Sequence, residues 1–152
     1  MSRGNRCLVP AGWLPGGAQI RQRVFGERPV ILGAVNASYE AVISLTVQGP
    51  SGLTSQIEAV IDTGFTGFLS LPPALVTELG LPFLTNESAM LADGSLATFS
   101  LHDATVLWDG QPRRVYAHVS DVTPLMGMRL LDSHSLYVEV EVGGRVVIQA
   151  RE

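Results

Sequence analysis

The sequence contains no lysine, so its ten basic positions of the Lys-or-Arg type are all arginine. Charge is sparse altogether: 16% of residues carry one, and the net charge is −4. Nucleic-acid binding draws on a clustered basic face, and this balance argues against it. Cysteine occurs once, at Cys7, so no disulfide can form within the chain and a reducing compartment is compatible. No apolar run reaches the length of a membrane-spanning helix. The first thirty residues lack the apolar core of a secretory signal. The expectation is a soluble cytoplasmic protein with no membrane and no nucleic-acid partner.

Histidine is also scarce. His102, His118 and His134 stand far apart, without the close spacings of metal ligands, so no metal and no cofactor is expected. Ser133-His134-Ser135 has no Gly-x-Ser-x-Gly elbow beside it, and His134 is expected at the surface. Gly16-Gly17 follows no strand and is no phosphate loop. Trp108 and Tyr116 are expected to be packing aromatics of one hairpin.

What remains is a globular composition. The chain has 152 residues, 46% of them hydrophobic, enough for one domain with a sizeable core. Residues 1–29 differ in character. They mix Gly, Pro and Gln with half of the arginines, and Pro10, Pro15, Gly16 and Gly17 break any regular element. The leading expectation is a disordered N-terminal extension. A propeptide, a basic contact arm or a downstream translation start are the alternatives. The domain proper is residues 30–152.

From Val30 the pattern is strand-like. Residues 41–47 and 54–61 flank the Gly49-Pro50-Ser51-Gly52 turn. Residues 69–71 resume a strand, and Pro72-Pro73 opens a short helix that Gly80 stops. Residues 84–91 and 96–101 flank Asp93-Gly94, a strong hairpin signal, and a second hairpin turns at Asp109-Gly110. A strand at Leu125-Met126-Gly127 leads to a second short helix at 128–133. Residues 136–142 and 145–148 pair across Gly143-Gly144. The predicted fold is all-β, a closed β-barrel of eight or nine strands with one or two short helices.

One stretch organises this pattern. Ala59-Val60-Ile61 runs straight into Asp62-Thr63-Gly64, followed by Phe65-Thr66-Gly67-Phe68. This reads as a buried strand that stops and delivers a carboxylate onto a tight loop. A bare buried carboxylate is very costly, so Asp62 must be hydrogen-bonded or share a proton. Gly64 and Gly67 are read as backbone conformations closed to other residues, with amides free to face the Asp62 oxygens.

Asp62-Thr63-Gly64 after an apolar strand resembles the active-site loop of aspartic proteases. Pro124-Leu125-Met126-Gly127-Met128-Arg129-Leu130-Leu131 resembles the strand and short helix that retroviral-type proteases place behind that loop. The two elements occur once each, in order, about 60 residues apart. The resemblance, over roughly residues 34–148, is to the retropepsin-like (clan AA) aspartic proteases, nearest to the small single-domain bacterial type.

The resemblance implies an aspartic endopeptidase with a retropepsin-like barrel. Its chemistry needs two carboxylates that share a proton. Only one Asp-Thr-Gly is present, so it implies a homodimer that brings two copies of Asp62 together on a two-fold axis. It further implies a protein or peptide substrate, Asp62, Thr63 and Gly64 as catalytic residues, and substrate contacts at Phe65, Thr66, Ala92, Asp93, Gly94, Met126 and Gly127. Thr63 would link the two loops, and the hairpin at Asp93-Gly94 would be the flap, with an ordinary hairpin as the other reading. Phe65 departs from the family, which usually has Ala or Ser there. It is read either as a wall that narrows the cleft or as a core residue under the loop. A non-catalytic peptide-binding or dimerisation module on the same barrel is the alternative.

Overall fold

A computed structural model of the chain describes residues 30–152. The extension expected over residues 1–29 lies outside the described residues. Ten strands follow in chain order: β1 Val30–Val35, β2 Ala41–Gln48, β3 Thr54–Ile61, β4 Leu69–Leu71, β5 Phe83–Met90, β6 Leu96–Trp108, β7 Gln111–Val119, β8 Leu125–Met126, β9 His134–Val138 and β10 Arg145–Ala150. One helix, α1 Pro73–Leu79, lies between β4 and β5. Among the described residues no helix is long and apolar enough to cross a membrane.

The strands form one sheet in the order β5-β6-β7-β4-β8-β3-β2-β1-β10-β9. This corrects the closed barrel expected from the sequence, because the order has two ends. β6 does touch β2 again, through Val47↔Val106 and Gln48↔Thr105, so the sheet folds back on itself. Its outer strands nevertheless stay apart, each bonded on one side only. β5 explains one of these ends: every residue in it is exposed, and Thr85, Asn86, Glu87 and Ser88 give it no apolar face to bury.

The core lies where the sheet folds over. In β2 alternate residues Ile43, Leu45 and Val47 point inward, as the two-residue period of a strand requires. They meet Leu69, Leu71, Val106, Met126, Leu130 and Ile148, all fully buried. The helix adds Leu75, Val76 and Leu79 to that core. Beyond its last turn Gly80 takes φ 63, and the amides of Gly80 and Leu81 bond the carbonyls of Thr77 and Val76 at 3.1 and 3.0 Å. Gly80→Ala should therefore cost about 1 kcal/mol in denaturant unfolding, from backbone strain alone, since nothing lies within 4 Å of the added methyl.

The second expected helix does not form. Residues 128–133 run as successive turns, with Leu130 and Leu131 bonding three residues back at 3.2 and 3.1 Å. His134, expected at the surface, has a side chain only 9% exposed. Its Nδ1–H donates to the Asp132 carbonyl at 2.8 Å, and its ring packs edge-on against Trp108 at 5.4 Å. Trp108 is buried as expected, whereas Tyr116 is exposed.

Past β9 the chain is held by a charged pair. Arg145 Nη2 and Nε donate to the two Glu139 oxygens at 2.7 and 3.1 Å. These bonds hold the Glu139 carboxyl down at about 2. A lowered folded value stabilises above the unfolded value, here 4.5, and the gain is lost as pH falls toward 2. The melting difference between wild type and Glu139→Gln should shrink over that interval, and modestly, because the pair faces solvent.

Candidate active site

Asp62 sits where β3 ends, and β8 holds that end in place. The two strands run parallel, with Val60↔Leu125 and Ile61↔Met126 in register. Asp62 N–H donates to the Met126 carbonyl at 2.9 Å. The chain then leaves the sheet and returns as β4, which pairs with β8 from its other side through Leu69↔Met126 and Ser70↔Leu125. Both ends of the loop are thus anchored on one two-residue strand.

Three further bonds tie the loop to the residues after that strand. Gly127 N–H donates to Phe68 O at 2.9 Å, Met128 N–H to Phe65 O at 2.8 Å, and Arg129 N–H to Gly67 O at 3.1 Å. Such close approach depends on Gly127. A Cβ there would stand 2.2 Å from the Gly67 oxygen and 2.7 Å from the Phe65 oxygen, both backbone atoms. Gly67 is also a matter of space, because its Cβ would fall 2.7 Å from the Phe65 ring. Neither Gly64 nor Gly67 has a positive φ, so the unusual backbone conformation expected of them is not what they supply. Gly64 instead offers its N–H, which donates to Asp62 Oδ1 at 2.9 Å.

Asp62 is half-buried and opens onto a cleft of about 470 Å³. Gly64, Phe65 and Thr66 line the same cleft. Thr63 is exposed beside it. Met126 is fully buried behind the loop and Gly127 lies beneath it, so neither is part of the cleft wall. The Phe65 ring lies against Gly67 and Gly127, is half-buried, and is among the residues that line the cleft.

Across the cleft stands the β5–β6 hairpin. β6 pairs with β7 only from Leu101↔His118 onward, so residues 96–100 have β5 as their partner in the ladders and the hairpin projects as a two-stranded ribbon. Ala92, Asp93 and Gly94 form its tip, with Gly94 at φ 87 and its N–H on Leu91 O at 2.9 Å. Asp93 Oδ1 accepts from the Ser95 hydroxyl at 2.6 Å and the Ser95 N–H at 2.9 Å. The hydroxyl first and the amide second hold the Asp93 carboxyl below its ordinary range. The tip lies beyond the cleft wall, to which the hairpin contributes Glu87, Ala89, Met90 and Leu91 and, from β6, Phe99 and Leu101.

The sequence reading missed Glu87, Phe99, His118 and Arg129 as wall residues. His118 Nε2–H donates to Glu87 Oε1 at 2.5 Å, and the Phe65 and Phe99 rings meet the imidazole edge-on at 5.4 and 6.3 Å. A signal did exist. The Asp93-Gly94 turn fixes Glu87 opposite Phe99, and the Asp109-Gly110 turn fixes Leu101 opposite His118. Phe99 and Leu101 are two apart on β6 and share a face.

Two solved structures share this arrangement of strands. One is a retropepsin-like aspartic protease from Rickettsia conorii, matched with TM-score 0.51 and 20% identity over 81% of this chain and 92% of that one. The other is the EIAV protease complexed with the inhibitor HBY-793, with TM-score 0.50 and 14% identity over 63% of this chain and 88% of that one. The fold is retropepsin-like. No protein-family profile matches the chain, and comparison with curated proteins finds no match. Within the retropepsin-like fold, the Asp62 loop and the hairpin face one another across the cleft. No group of three or more His, Cys, Asp or Glu that could hold a metal ion occurs among the described residues.

Proposed function

We propose that the protein is an aspartic-type endopeptidase that works as a homodimer, with Asp62 of each chain forming the reactive pair. The observation that carries this reading is the Asp62 loop, clamped at both ends on β8 and open to a cleft faced by a projecting hairpin. One chain supplies one such carboxylate, and a second copy on a two-fold axis supplies the other. Two carboxylates a few ångströms apart share a proton. The ionised Asp62 takes a proton from water as the water oxygen attacks the peptide carbonyl carbon. The protonated Asp62 hydrogen-bonds the carbonyl oxygen, and a proton then passes to the departing amide nitrogen.

The other residues take supporting roles. Gly64 N–H holds the Asp62 carboxylate in orientation, and Thr63, exposed at the loop, reaches the partner loop. Phe65 and Thr66 wall the cleft. Met126 and Gly127 bear on substrate through the loop they hold. The hairpin carrying Ala92, Asp93 and Gly94 acts as a flap over an extended peptide. A reducing, cytoplasmic setting belongs to the same reading, supported by the single cysteine.

Cleavage of an unfolded protein by the wild type, inhibited by a transition-state mimic such as pepstatin, is the direct test. Binding of peptides without any cleavage would instead favour a non-catalytic module on this fold. Assembly gives a second check. Activity should fall more steeply than linearly on dilution near the dimer dissociation constant. Specific activity that stays flat while sedimentation shows only monomer would remove the shared-site reading.

A further inference from the structure

We infer that Glu87, held by His118, makes one side-chain subsite of the cleft selective for a basic residue, arginine above all. The inference rests on the proposal that the cleft binds an extended peptide, and it does not depend on cleavage. Glu87 stands on β5 with its side chain 53% exposed, whereas the His118 side chain is only 16% exposed. The His118 Nε2–H occupies Oε1. No hydrogen bond from the described residues reaches Oε2, and a carboxylate oxygen has lone pairs to spare. The bond therefore fixes the carboxylate and leaves half of it free to accept.

The surroundings suit a guanidinium. Phe99 lies directly opposite Glu87 in register, and Phe65 and Phe99 both pack on the His118 ring. Arginine can lay its aliphatic stem along such apolar surface, stack its plane on an aromatic face and bond a carboxylate with more than one N–H. Lysine offers a point charge and no plane, so it ranks second. The other charged wall residues are Asp62, the proposed reacting group, and Arg129. The Arg129 guanidinium lies 6.0 Å over the Phe68 ring, on the side of the cleft formed by the Asp62 loop. Side chains of an extended peptide alternate in direction, so Glu87 reads one position and leaves its neighbours unread.

The test uses a peptide series with Arg, Lys, Leu or Glu placed at one position at a time. Binding is measured to Asp62→Asn protein, and cleavage to wild type. At a single position Arg should bind best, followed by Lys and then Leu, with Arg about tenfold tighter than Glu. Glu87→Gln should level Arg with Leu there, and Glu87→Arg should turn the preference toward Glu. Glu87 is exposed, and equal melting temperatures would show that both variants fold. A flat profile, an Arg preference that survives Glu87→Gln, an acidic preference in the wild type, or no binding of any peptide would each overturn the inference. An Arg preference in binding with no cleavage would support it and defeat the protease reading. Cleavage without that preference would do the reverse.

Discussion

Asp62→Asn should abolish peptide cleavage, a loss of about three to four orders of magnitude, and leave the melting temperature within a few degrees. In the proposed homodimer the substitution removes both members of the pair at once, so neither the base nor the acid survives. Asn keeps the shape of Asp and an acceptor oxygen for the Gly64 N–H, now at 2.9 Å from Oδ1. The backbone bond from Asp62 N–H to Met126 O is unaffected by the change. Activity should therefore vanish without loss of fold or peptide binding. A variant that cleaves at wild-type rate would move the chemistry away from this loop altogether.

Gly127→Val should be among the most damaging single changes outside that carboxylate. Its first added carbon falls 2.2 Å from the Gly67 oxygen, a backbone atom held by its own bond to Arg129 N–H. Of its three nearest neighbours two are backbone oxygens, and the third, the Phe65 ring at 2.7 Å, belongs to the same loop. The loop and β8 must separate, which strains the bonds that Gly127, Met128 and Arg129 make to it. We expect a loss of about 3 kcal/mol or more in denaturant unfolding, with activity lost before stability. Gly52→Ala is the contrast: its φ is 93 but its Cβ would meet nothing within 4 Å, so about 1 kcal/mol is expected. If Gly127→Val melts with wild type, residues 124–129 do not lie behind the Asp62 loop.

Local chemistry made much of this molecule legible in advance. Proline at 72–73 and glycine at 80 bracket the helix because each restricts or frees the backbone wherever it stands. Asp93-Gly94 and Asp109-Gly110 place two hairpins for the same reason, with Gly94 and Gly110 both at positive φ. Asp62 was visible because a carboxylate after Ala59-Val60-Ile61 demands an explanation wherever the chain goes next. What was not legible depended on partners distant in sequence. Residues 128–133 could make a helix by composition, but the amides of Leu130, Leu131 and Asp132 close three residues back, onto Gly127, Met128 and Arg129, as successive turns. Ser133 then takes φ 67, which a continuing helix forbids. The expected strand over 136–142 stops at Val138, where Glu139 turns to the Arg145 side chain and amide. Closure failed as an expectation because it depends on whether two edge strands meet, and nothing in β5 or β9 records the other. The cleft walls were hidden for a related reason: Glu87 and His118 become neighbours only when two hairpin registers are combined.

The clamp on β8 also sets when the Asp62 loop can exist. Apart from two bonds within the loop, from Gly64 and Phe65 to Asp62, the bonds that fix it, from Val60 N–H on Pro124 O to Arg129 N–H on Gly67 O, join it to residues 124–129. A ribosome needs roughly 3 to 13 s to extend the chain from Asp62 to Arg129. Through that interval the nascent chain carries the Asp-Thr-Gly triplet with only its two internal bonds to shape it and no clamp behind it. Pairing over so long a separation is also slow to form, since loop-closure entropy is lost before the contacts are gained. The loop is therefore among the last parts of the fold to mature, and a growing or prematurely terminated chain carries the triplet without the organised site.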